Sequence, residues 1–315
     1  MLDGEVFIPS EVTVDNLSRL TRNGASLNEQ RACEISELVD CAVNFSLRLF
    51  SSGMGIYEML SLLSEGLSGL TCDDTAYDTL VLFGAYTAFL SASGRAEFSR
   101  LYVERLSLAG VPITEELLLA ESTADESIAY VKNALSDEAY DVFSQELTDP
   151  RVSYCKSFKE AADAVVRGDF SYCLLPLEEA GGGRLSSVSE IIYRRDLKIN
   201  AVTPVFGFDG NADVKYALLS ESFTVPELLP DDDGYLEIRI KHGCEPALSE
   251  LLSVADCYGI SVYRVNTERF DNEGETSVFY NLVFKSTGGG FTELLVYLTL
   301  FSSVFVPVGM YKNLE

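Results

Sequence analysis

Apolar positions recur at helical spacing through the first 125 residues and give way to short alternating runs after them. Ser26, Leu27, Asn28 and Glu29 have the spacing of a capping box and precede a long apolar-periodic run through Ala42, Phe45, Leu47 and Leu49. Gly53 and Gly55 interrupt that run before a second helix over 56–67. Asp73, Asp74 or Thr75 caps a third helix, whose apolar stretches at 80–83 and 86–90 predict burial on more than one face. A fourth over 95–108 is closed by Gly110. Together they predict a helical bundle or cap over 1–125, and no chemical motif falls within it.

Strands and helices alternate from Ser127 onward. The pattern predicts a strand over 128–131, a helix over 136–147 starting at Ser136, and a strand over 151–155. Ser157 caps a helix over 158–167 that Gly168 ends. A strand over 170–175 is stopped by Pro176, a helix covers 187–194, and strands over 198–205 and 214–219 follow. That rhythm implies a parallel-rich α/β lobe over 126–222. The stretch 221–234, with Pro226, Pro230 and the run Asp231, Asp232, Asp233, reads as a linker. Residues 234–315 then give one βαββαβ unit: strand 235–241, helix 246–258 with Pro246 in its first turn, strands 260–267 and 277–285, helix 291–301 and strand 304–308. The expected fold class is therefore multidomain α and α/β, ending in a ferredoxin-like unit.

A formal charge of −26 argues against nucleic acid or an anionic membrane as partner, because both need a basic footprint. The apolar stretch 291–310 is broken by Thr292, Glu293, Thr299, Ser302, Ser303 and Pro307, so a helix followed by a strand explains it better than a membrane span. Seven scattered cysteines with no CxxC pair read as free thiols. Met1 to Glu5 lacks the basic and apolar regions of a signal peptide, so the expected location is the cytoplasm. His242 is the only histidine, which excludes a His-x-x-x-His zinc site, and its loop setting reads as surface. Neither a metal nor a cofactor is expected.

The segment Tyr172, Cys173, Leu174, Leu175, Pro176, Leu177, Glu178, Glu179 runs into Ala180 and three glycines, Gly181, Gly182 and Gly183. A buried strand opening into such a turn leaves backbone N–H groups free at its carboxyl edge, where open α/β sheets bind ligands. Taken with Ser136 and Ala139, with Cys155, Ser157 and Phe158, and with a helix ending in Arg167 and Gly168, this segment resembles the first lobe of a prephenate dehydratase. That fold is periplasmic-binding-protein-like. Residues 234–315 resemble the ACT domain that follows in that family: Pro246, Ala247, Leu248 and Ser249 stand for its Gly-Ala-Leu-Ala turn, and Gly309, Met310 and Tyr311 for its closing Gly-x-Tyr.

The resemblance implies chemistry that these residues do not supply. A second lobe should follow the strand ending near Val205, but only 206–212 lie before the return strand. Where the family has Thr-Arg-Phe, this chain has Val214, Lys215 and Tyr216, so the catalytic hydroxyl becomes a methyl and the bidentate fork a point charge. Lys132, Asn133, Ala134 and Leu135 replace the glycines of the first loop, and Glu179 brings a negative charge toward a dicarboxylate substrate. The former substrate loop is thus Glu178, Glu179, Gly181 and Gly182, without a catalytic set. Glu178 and Glu179 read as surface residues pointing to opposite sides, the three glycines as a flexible turn, and Arg184, Arg194 and Arg195, which could give a local anion site, as partners of carboxylates in so acidic a chain.

The family's ACT domain binds phenylalanine across a dimer interface. The corresponding ligand-binding positions here are Gly243, Cys244, Glu245, Pro246, Ala247, Leu248 and Asn266. A modified amino-acid site and an empty dimerisation module both fit them. Three functions follow: a non-catalytic relative sensing an aromatic amino acid through an ACT homodimer, an active prephenate dehydratase making phenylpyruvate in phenylalanine biosynthesis, or a purely structural dimerisation protein.

Overall fold

Alternating segments become strands where helices can cover their apolar faces, and that rule organises this chain. The computed structural model describes residues 11–68, 84, 87–119, 126–179, 183–206, 212–229, 231–272, 275–302 and 304–314. Helices α1 (Glu11–Ser51), α2 (Ile56–Ser68), α3 (Ala92–Leu108) and the short α4 (Glu115–Leu118) come first. Ser26 lies inside α1 rather than at its start. A cap needs non-helical backbone at the capping residue, and here the helix already runs from Glu11, so the capping-box expectation fails. Ser91, accepting from the Gly94 N–H, starts α3 earlier than predicted. The expected third helix falls mostly outside the described residues.

The α/β lobe contains β1 (Ser127–Val131), α5 (Ala134–Phe143), β2 (Arg151–Cys155), α6 (Phe158–Val166), β3 (Tyr172–Glu179), β4 (Gly183–Arg184), α7 (Ser186–Arg195), β5 (Lys198–Phe206) and β6 (Ala212–Ser220). The C-terminal unit contains β7 (Asp233–Lys241), α8 (Leu248–Cys257), β8 (Ser261–Asn272), β9 (Glu275–Thr287), α9 (Phe291–Phe301) and β10 (Phe305–Lys312). Several boundaries differ from expectation, three of them at a residue the sequence singled out. Asn133, not Ser136, caps α5, and Ser136 returns its hydroxyl to the Asn133 N–H as the other half of a capping box. β3 continues through Pro176 to Glu179, because a bulge between Pro176 and Glu178 absorbs the missing N–H. α8 begins at Leu248, two positions after the proline expected in its first turn.

One sheet takes in all these strands, in the order β2-β1-β3-β6-β5-β10-β7-β9-β8, with β4 beside β3. Among the described residues parallel pairing is confined to β1 with β2 and β3, to the contact of β5 with β10, and to a bridge between Val202 and Asn313 just beyond it. The lobe is therefore less parallel than its rhythm predicts, because β5 returns directly as antiparallel β6 and β6 pairs antiparallel with β3. In the C-terminal unit the order β10-β7-β9-β8 is antiparallel throughout, a split-βαβ arrangement.

The join between the two units is a close approach of two backbones. Gly309 lies opposite Ile199, and a Cβ on Gly309 would fall 2.7 Å from the Ile199 Cβ and 2.9 Å from its carbonyl oxygen. Farther along, the Leu314 N–H donates to the Val202 carbonyl at 2.8 Å, and the Thr203 hydroxyl donates to the Leu314 carbonyl at 3.1 Å.

Leu236, Ile238, Ile240, Leu282 and Phe284 turn one face of the C-terminal strands toward α8 and α9. The outer side of those helices meets the N-terminal helices, with Val296 and Leu300 packed in one core with Phe98, Tyr102 and Leu106. Arg95 pairs with Glu250 at 3.3 Å, and the Tyr258 hydroxyl donates to the Ala96 carbonyl at 3.0 Å. Burial raises the pKa of Tyr102, Tyr258, Tyr297 and Tyr311 above the ordinary tyrosine value, with Glu250 adding to it at Tyr297 and Glu237 at Tyr311. Since the folded-state values are raised, this stabilisation is intact below the unfolded value of about 10 and declines as pH rises above it. Urea midpoints measured at rising pH should fall beyond about pH 10, and a flat profile there would contradict the burial of these hydroxyls.

Candidate functional site

The other face of β7 and β9 should meet water by simple alternation, yet α7 and the end of β3 cover it. Glu237 is fully buried there and accepts from both terminal nitrogens of Arg184, at 2.8 and 3.0 Å. Asn281 donates to the same carboxylate at 2.9 Å and the Tyr311 hydroxyl at 3.5 Å. Arg239 pairs with Glu268 at 3.4 Å, and its guanidinium lies over the stacked rings of Tyr193 and Phe270. Burial lowers the Arg239 pKa, with the two glutamates opposing it. For Arg184 burial acts the same way, but Glu237, Tyr311 and Glu268 together outweigh it and the net shift is upward. The result is a buried charged layer joining the lobe to the C-terminal unit.

Strand β3, Tyr172–Glu179, ends in this layer. Glu178 is buried, with Arg264 of β8 donating to both of its oxygens and Lys215 3.8 Å away. The surface expectation for Glu178 is therefore wrong: the bulge at Pro176 and Glu178 brings its side chain round to the face that the C-terminal unit covers. Glu179 is exposed. Gly181 and Gly182 lie outside the described residues.

Val214, Lys215 and Tyr216 do not converge. Val214 sits opposite Glu179 and Val205 and packs with Tyr216 in the core under α5. Burial raises the Tyr216 pKa, and hydrogen bonds with Asn133 and Ser136 partly offset that. Lys215 points to the opposite face, toward Glu178 and the Tyr263 hydroxyl at 3.4 Å. Strand alternation puts Lys215 on the face opposite Val214 and Tyr216. The return from β5 to β6 is a hairpin with Phe206 opposite Ala212.

The proposed amino-acid site is likewise divided. Gly243 has a φ of +81°, Glu245–Pro246 is a cis peptide, and Cys244 is half-buried in the turn before α8. Asn266 lies on β8 opposite Asn281 and lines a cavity of about 630 Å³ between α7 and β8. None of Gly243, Cys244, Glu245, Pro246, Ala247 or Leu248 lines that cavity. Arg184, Arg194 and Arg195 pair with Glu237, Glu190 and Asp163, as their setting in an acidic chain suggested. His242 is exposed with its ring near Tyr280. Among the described residues the cysteines are free, no group of acids, histidines and cysteines could hold a metal, and no helix is long and apolar enough to cross a membrane.

Sequence reasoning missed Glu237, Arg239, Arg264 and Asn281. Glu237 and Arg239 alternate with Leu236, Ile238 and Ile240, the same pattern a solvent-facing row would show, so no local signal marks them as buried.

No protein-family model matches the sequence, nor does any curated protein. Among solved structures, the chain is similar to a prephenate dehydratase from Streptococcus mutans, with a TM-score of 0.45, 14% identity, and 60% of this chain and 99% of that one covered. A prephenate dehydratase from Arthrobacter aurescens, solved with L-Phe, gives a TM-score of 0.45 at 12% identity over 59% of this chain and 90% of its own. GqqA, described as a novel type of quorum quenching acylase, gives 0.42 at 19% identity over 60% and 96%. None of the three carries information about the activity of this chain.

Proposed function

We propose that this chain is a binding protein rather than a dehydratase, a divergent prephenate-dehydratase relative that senses an aromatic amino acid through a homodimer of its C-terminal ACT unit. The observation that carries the non-catalytic part is the state of the paired ends of β3 and β6. Val214 offers no proton to transfer, and the Glu178 carboxylate is held by Arg264 and Lys215. A general acid or base must be free to meet substrate, and neither position meets that condition.

Support for the dimer comes from β8. It is the outer strand of the sheet, and Val262, Tyr263 and Val265 are exposed along it. An unpaired edge with apolar side chains is a template for a second strand, and a second copy supplies one. Light scattering on the full chain checks the assembly.

Incubation with prephenate should yield no phenylpyruvate, and Val214→Thr should not install activity, since the hydroxyl would sit in the packed core under α5. Turnover by the unaltered protein would overturn the non-catalytic reading. Phenylalanine or tyrosine should raise the melting temperature, whereas indifference to both would reject the sensing role and leave assembly alone.

A further inference from the structure

We propose that the cavity between α7 and β8 binds a small oxyanion, either a carboxylate or a phosphate. It is lined by Arg184, Ser186, Ser189 and Arg194 from the lobe and by Asn266 and Arg269 from β8. Two of these present buried polar atoms with no partner among the described residues. The Ser189 hydroxyl is one, on a residue only 4% exposed, and the Nε of Arg184, whose side chain is 6% exposed, is the other. Both are donors, and an unmet donor at a cavity wall is satisfied by an acceptor that enters the cavity.

The acids at the cavity do not fill that role. Glu190 takes Arg194 at 2.8 Å, and Glu268 takes Arg239 and Asn281. Glu237 occupies the two terminal nitrogens of Arg184 and leaves its Nε–H over. Arg269 is exposed and has no ion-pair partner among the described residues. No side chain caps the start of α7, where Ser186 and Ser187 line the cavity, so the positive end of the helix adds to the preference for an anion. A neutral ligand would leave the unpaired arginine unused, and a cation would oppose the positive helix end. An oxyanion offers acceptors for the donors of Ser189, Arg184 and Arg269, which all line the cavity.

The cavity is separate from the turn 243–248, so this site and the amino-acid reading fail separately. The test is calorimetric titration of the full chain with inorganic phosphate and, in a second arm, with succinate. Saturable binding of either supports the proposal, and the arm that binds identifies the oxyanion. Ser189→Ala and Arg269→Gln should each weaken that binding by about tenfold or more, the loss of one charge-assisted or buried donor. Arg269→Gln alters an exposed side chain, so its unfolding midpoint should match the parent protein. No saturable binding of either probe below about 10 mM, or unchanged affinity in both variants, would overturn the proposal. A melting shift with phenylalanine that survives Ser189→Ala would leave the turn 243–248 as the amino-acid site.

Discussion

Glu237→Ala should cost about 3–5 kcal/mol of folding stability, the usual penalty for removing one partner of a buried ion pair. The carboxylate is fully buried and is the acceptor on which Arg184, Asn281 and Tyr311 converge from three other strands. Its loss strands the Arg184 guanidinium in a site that solvent reaches at only 6% of its side chain. The interaction is not all net stabilisation, because desolvating both groups offsets much of their attraction. Replacing both partners, with Arg184→Met and Glu237→Leu, should therefore cost less than Glu237→Ala alone. Urea unfolding of the two variants and the parent protein decides the matter. A single-variant loss under about 1 kcal/mol would mean that water already reaches the pair.

Gly309→Val should separate the two halves of the sheet. The added Cβ would meet the Ile199 Cβ and carbonyl oxygen at distances that side-chain carbons do not adopt, and the obstacle is backbone rather than a movable tip. Overpacking of this kind costs ~3 kcal/mol at its upper range. The damage should be local. Amide exchange at Leu314, whose N–H donates to Val202, should lose protection while the β8–β9 hairpin keeps its own. Unchanged exchange at Leu314 would show that β5 and β10 do not depend on the contact. The same position explains the closing Gly-x-Tyr physically: Gly309 admits β5, and two residues on Tyr311 stacks on Tyr235 and reaches Glu237.

Much of the secondary structure could be read from the chain. The helix over 291–301 has the expected limits, and Ser157 caps α6 as its type and position require. The misreadings share a cause. Ser26 within α1, Ser136 within α5 and Pro176 within β3 are each a correct local signal placed beside a stronger one. These are a helix already under way, a better cap at Asn133, and a bulge that tolerates proline. The candidate site was harder to read. That position 214 offers no hydroxyl is plain from its identity as Val214, but the burial of Glu178 beneath Arg264 depends on a partner 86 residues away.

Strand β7 shows where the boundary lies. Its alternation of Leu236, Ile238 and Ile240 with Tyr235, Glu237 and Arg239 sets which residues share a face, because successive side chains in a strand must point to opposite sides. Periodicity says nothing about what lies over the second face. That depends on β10 approaching β5 at Gly309, which carries α7 and the end of β3 over Glu237 and Arg239. Sequence spacing is local, whereas desolvation is set by whatever the whole chain brings near. The −26 charge and the lack of a hydroxyl at Val214 were therefore legible beforehand, and the buried ionic layer and the cavity beside it became visible only once the units were joined.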